Sequence, residues 1–128
     1  MKKPQLICAM PLREHPDSLD APLQPFFSHG VREDELNEAV IRFTIYLLFT
    51  DGQGEWPIEV NLLNVEGVRT GRPLPMSVNL DNPFSVEAVT IDTGILISRF
   101  GYSFITVDLD GETIARVPFR IYQTDAPE

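Results

Sequence analysis

Residues 107–122 read VDLDGETIARVPFRIY and place Asp108, Asp110 and Glu112 within five positions around Gly111. Alternating carboxylates are the raw material of a calcium loop, but calcium takes roughly six to eight oxygen ligands. Leu109 and Thr113 do not extend the pattern. Asp-Gly is also the pair that accepts positive φ at both central positions of a two-residue hairpin turn. The stretch therefore reads as a turn, with a weak cation site on Asp108, Asp110 and Glu112 as the alternative.

Other residue types with chemical capacity are sparse. Arg69 and Arg72 in VRTGRP (68–73) could grip a carboxylate or phosphate through their forked donors. The simpler reading is a solvated loop, yet this pair is the best ligand candidate in the chain. Trp56, Tyr46 and Tyr102 could build an aromatic platform for a sugar, although Trp56 is in phase with Ile58 and Val60 and so reads as core. His15 and His29 lie in an irregular segment without ligand spacing, and a metal site needs about three or four ligands. Cys8, the single cysteine, sits in the apolar run LICAM and reads as an inert core thiol. Carboxylate pairs suited to glycoside hydrolysis arise by chance among 19 acids. DGQG (51–54) lacks the lysine and following helix of a phosphate loop. No catalytic residue and no cofactor is expected.

The 128 residues suit one domain, taken as 1–122 with a frayed tail at 123–128. A net charge of −9 disfavours nucleic acid and anionic lipid, both of which call for a basic face. The start, MKKPQLICAMPLRE, imitates a signal peptide, but its apolar run is short and ends in Arg13-Glu14. No stretch is long enough to span a membrane. A reduced, cytoplasmic location is the expectation.

The elements that position these residues are strands. Ten valines and ten isoleucines stand against six alanines, and eleven prolines punctuate the chain. Residues 5–12 form a first strand. Residues 13–38 are irregular, with either a short helix over 32–39 or an exposed loop. The clearest element is AVIRFTIYLLFT (39–50), where Ile41, Phe43, Ile45, Leu47 and Phe49 fall on one face. DGQG and EWPIEVNLLNV then suggest a hairpin with it. Residues 66–75 read as a loop, 76–80 as a strand, and 84–91 as a strand broken at Gly94. The last hairpin pairs Leu109 with Glu112, Phe104 with Val117, Tyr102 with Phe119 and Phe100 with Ile121. A three-residue turn with a bulge, bringing Ile105 opposite Ala115, is the alternative register. Seven or eight short strands of this kind predict an all-β antiparallel two-sheet sandwich, immunoglobulin-like or Greek-key, with a small barrel as runner-up.

Gly101, Tyr102, Asp110, Gly111, Glu112, Pro118 and Phe119 carry a resemblance. The stretch 100–121 is similar to the C-terminal hairpin of an uncharacterised family of small bacterial proteins, a domain of unknown function, and the apolar first strand looks like theirs too. Residues 13–38 do not match. The resemblance implies a β-sandwich of bacterial or phage-related origin, and it brings no activity or site residues. The expectation is a non-enzymatic protein-interaction module that meets a protein partner, or itself, through loops or an edge strand. The alternatives are a small-ligand or carbohydrate-binding sandwich on Trp56, Tyr46, Arg69 and Arg72, and a hydrolase built on clustered carboxylates.

Overall fold

The computed structural model describes residues 2–13, 16 and 23–125. Among them eight strands form: β1 (Gln5–Leu12), β2 (Ser28–Val31), β3 (Val40–Thr50), β4 (Gly54–Leu63), β5 (Arg69–Leu80), β6 (Val86–Leu96), β7 (Gly101–Leu109) and β8 (Glu112–Gln123). They lie in two sheets, β1-β3-β6 and β2-β8-β7-β4-β5. Every pairing is antiparallel except β2 with β8. The protein is a β-sandwich with immunoglobulin-like strand order, as the alternation along the chain predicts.

β3 explains the division into sheets. Its alternate residues Ile41, Phe43, Ile45, Leu47 and Phe49 are all buried against the second sheet. Both of its edges are taken, one by β1 and the other by β6. No edge is left for β4, so the expected hairpin between 39–50 and 55–65 does not form. The DGQG link instead crosses between sheets, with positive φ at Asp51 and Gly54. It is pinned to the chain start: Gln53 N–H donates to Lys2 O at 2.9 Å, and Lys2 Nζ meets Asp51 Oδ1 at 2.7 Å. Gly52 allows this approach, since a Cβ there would lie 2.5 Å from Pro4 Cα.

β4 pairs with β5 and β7. Strand pairing in β5 begins at Arg69, so the loop expected over 66–75 is shorter. Asn64 Oδ1 organises it, accepting from the N–H groups of Glu66 and Val68 at 3.0 and 2.9 Å. β6 continues through Gly94, which faces Arg42 in the register. The irregular segment contributes β2 and one turn of 3-10 helix, Glu33–Glu35, rather than a helix over 32–39. β8 runs to Gln123, and Thr124 N–H donates to Val31 O at 3.1 Å. The end of the predicted tail, 126–128, and His15 lie outside the described residues.

The last hairpin combines an expected turn with an unexpected register. Asp110 and Gly111 have φ of 51° and 84°, as the two-residue turn requires, and Leu109 pairs with Glu112. Asp108 then pairs with Thr113 but Val107 pairs with Ala115, which leaves Ile114 as an inserted residue. Beyond it Ile105 faces Val117, Ser103 faces Phe119 and Tyr102 faces Arg120. The expected pairs Phe104–Val117, Tyr102–Phe119 and Phe100–Ile121, and the alternative Ile105–Ala115, are all corrected by this bulge. Its cause is a clash of phase. The turn alone would set Ile105 opposite Arg116, whereas the bulge buries Ile105, Val107 and Leu109 together with Phe119 and Ile121.

Phe26, Phe43 and Phe119 close one part of the core. Phe26 meets the other two rings edge-on at 6.1 and 5.2 Å, and Phe43 stacks on Phe119 at 5.8 Å.

A Cβ on Gly111 would meet nothing within 4 Å, so its substitution isolates the backbone conformation. Gly111→Ala is expected to cost about 1–2 kcal/mol in urea denaturation. An unchanged midpoint would mean that the turn is not held in this conformation.

Candidate functional site

The carboxylates of the 108–112 turn do not converge. Asp108 Oδ1 accepts from Thr113 Oγ1 at 2.6 Å, Glu112 Oε2 from Lys3 Nζ at 3.1 Å, and Asp110 stands at the tip. Among the described residues no group of three or more His, Cys, Asp and Glu side chains is placed to hold a metal. The register does bring together one pair of acids that the sequence leaves apart. Glu59 of β4 lies directly opposite Asp108 of β7 on the outer face of the five-stranded sheet. Pro57, Ile58, Pro75, Met76 and Gly111 complete the walls of a shallow groove of about 310 Å³ there. Each carboxylate already holds a donor, Glu59 taking Asn61 Nδ2 at 3.4 Å.

The aromatic candidates are dispersed. Trp56 packs partly against the core, and its Nε1 donates to Gln53 O at 2.9 Å. Tyr46 sits between Ile45 and Leu47 and so faces out of the three-stranded sheet. Tyr102 faces out of the other sheet and is 54% exposed. The three share no surface. Cys8 is half-buried, facing Leu48 across the β1–β3 pair, and burial raises its thiol pKa. His29 lies in β2 opposite Ile121.

Arg69 and Arg72 both belong to β5 rather than to a loop. Arg69 pairs with Leu63 and so takes the outer face, because Leu62 takes the inner one. Arg72 falls where four steps of β5, from Thr70 to Leu74, match two of β4. It stands on this bulge, next to Gly71 with φ of 70°.

Arg116, Arg120, Phe104 and Tyr122 were not singled out in the sequence. The sequence alone sets Phe104 opposite Val117 and assigns the two arginines and Tyr122 no role. The Ile114 bulge turns Tyr102 and Phe104 outward and joins them to these arginines. The Arg116 guanidinium lies 3.9 Å from the Phe104 ring centroid, and that of Arg120 lies 5.5 Å from Tyr122. Comparing the phases of the two strands on either side of the turn would have found this face.

The four sheet edges differ in kind. β1 carries Pro11 and an inserted Ile7, β5 carries Pro73, Pro75 and its bulge, and β2 is four residues long. Prolines, bulges and shortness all blunt an edge against further pairing. β6 has none of these. It pairs with β3 over eleven consecutive residues without a shift, and among the described residues nothing pairs with its other side. Just before it, Phe84 is 94% exposed, on a turn where its N–H donates to Asn82 Oδ1 at 2.9 Å.

Neither a family model nor a curated protein matches the sequence. Among solved structures, the chain is similar to the CARDB domain of the PF1109 protein of Pyrococcus furiosus, described in complex with di-metal ions. The identity is 13% and the TM-score 0.46, covering 93% of this chain and 89% of that one. The fold assignment rests on the strand order and pairing given above. No helix among the described residues is long and apolar enough to cross a membrane.

Like charges directly opposite on a sheet are destabilising. Glu59→Gln keeps an acceptor for Asn61 and removes the repulsion with Asp108. It is expected to raise stability by about 0.2–1 kcal/mol at low salt, with the gain shrinking as salt is added. Thermal melts at two ionic strengths check this, and a loss of stability at both would contradict it.

Proposed function

We propose that this chain is a non-enzymatic protein-interaction module that takes up an extended segment of a partner protein along β6. The observation that carries the reading is the contrast between edges: three are blunted, and one of eleven residues is not. An open edge presents a row of backbone N–H and C=O groups that an added strand can satisfy, and side chains at alternate positions then supply selectivity. On the outer face that row is Val86, Ala88, Thr90 and Asp92, followed by Gly94 and Leu96. Val86 and Leu96 are exposed, as is Phe84 two residues before the strand. The matching segment therefore carries apolar side chains at alternate positions, with one seated against Phe84.

Self-pairing through the same edge is less favoured. Glu87 and Asp92 both lie on β6, and each copy carries a net charge of −9.

Short random peptides displayed on phage and selected against the whole protein test the reading. Selected sequences are expected to alternate apolar and polar residues, and to slow amide hydrogen exchange along 86–96. Phe84→Ala should weaken their binding by about tenfold, as loss of an aromatic anchor does. Selected peptides that leave the β6 amides unprotected would overturn the proposal.

A further inference from the structure

The outer face of the five-stranded sheet is divided by charge. One part holds Glu59 opposite Asp108. Toward the start of β7 the rows across the strands are Arg69–Leu63–Phe104–Pro118 and Tyr102–Arg120–Ser28, with Arg116 beside them opposite Thr106. This part carries three arginines and no acid at these positions. The lysines Lys2 and Lys3 and the arginines Arg32 and Arg99 have carboxylate partners. Among the described residues Arg69, Arg116 and Arg120 have no ion pair, as is also the case for Arg42 and Arg72, which lie away from this part. Arg116 and Arg120 are instead held on aromatic rings, which fixes the guanidinium planes while leaving their donors free. Tyr122 is fixed in turn, because Gly30 lies beneath it: a Cβ there would come within 3.0 Å of the ring.

We infer that this face docks a second partner segment, an acidic one, whose carboxylates are received by Arg116 and Arg120 and at the far side by Arg69. The complementarity is local. At physiological ionic strength charges are screened beyond roughly 8 Å, so a basic patch acts on a contacting segment even in an acidic protein. Tyrosine and arginine are also among the side chains that most often anchor interfaces, and Tyr102 stands more than half exposed directly opposite Arg120. Nucleic acid fits less well. The face of Phe104 that a base would stack on is already covered by Arg116, and a phosphate chain continuing along the sheet would run onto Glu59 and Asp108. The site is separate from the β6 edge, which belongs to the other sheet.

The test uses the full chain and a fluorescein-labelled peptide of alternating glutamate and tyrosine, with a lysine–tyrosine peptide and an oligothymidylate as counter-probes. Fluorescence anisotropy is expected to show the acidic peptide binding, more weakly as salt rises, with the counter-probes silent. Arg116→Ser combined with Arg120→Ser should weaken binding at least about tenfold, Arg69→Ser less, and Phe84→Ala not at all. Amide and side-chain NMR shifts of the unsubstituted protein should move at 102, 104, 116 and 120, a readout that does not depend on how the variants fold. The inference is overturned if the acidic peptide does not bind, if its binding survives the double substitution, or if the oligothymidylate binds as well. It is also overturned if this face is found buried between two copies. Loss of β6 binding with retention of this site would overturn only the strand-uptake proposal, and the reverse only this one.

Discussion

One inserted residue, Ile114, decides what the larger sheet shows to solvent. The Asp110-Gly111 turn fixes the first two pairs of the hairpin. Continued without a break, that register would set Ile105 against Arg116 and Ser103 against Pro118. The buried apolar residues of β7 and β8 fall on odd numbers in both strands, and a two-residue turn pairs odd with even. Only an extra residue reconciles them. The bulge breaks the ladder locally, and in exchange it keeps an arginine out of the core, a trade whose sign follows from the several kcal/mol cost of burying an unpaired charge.

The same residue produces the surface. Once the odd positions point inward, Tyr102 and Phe104 have no place in the core and come to lie beside Arg116, Pro118 and Arg120. Stacking then covers part of the apolar ring area that this arrangement exposes, since an arginine over an aromatic ring shields it while its donors stay in water. The three-stranded sheet is organised differently. There β3 is flanked on both sides, its inner row is wholly buried, and the sheet is only three strands wide. A narrow sheet has proportionally more edge, and one of its two edges, β6, carries no proline and no bulge.

Much of the fold was legible in the sequence. The alternation over 39–50 identifies β3 and its buried face, residues 5–12 give β1, and the Asp-Gly pair gives the turn. Three things were not legible. EWPIEVNLLNV has the same pattern whether it pairs with β3 or crosses to the other sheet. The choice depends on β1 and β6 having occupied both sides of β3, which is a non-local fact. The bulge at Ile114 depends on comparing two strands at once. Arg69 and Arg72 looked like a loop because Gly71, Pro73 and Pro75 are turn residues, but an edge strand tolerates prolines and a bulge accommodates a glycine with positive φ. The candidate surface inherits these difficulties: its arginines and aromatics are each visible in the sequence, and their neighbourhood is set by register.

The most direct test of this account is therefore the register itself, read from cross-strand nuclear Overhauser effects in the free protein. The Ile114 bulge predicts contacts between the methyl groups of Ile105 and Val117, and between the Tyr102 ring and the Arg120 side chain. Contacts between the Tyr102 and Phe119 rings, with Phe104 against Val117, would contradict it. They would return both aromatics to the core and remove the arginine–aromatic face.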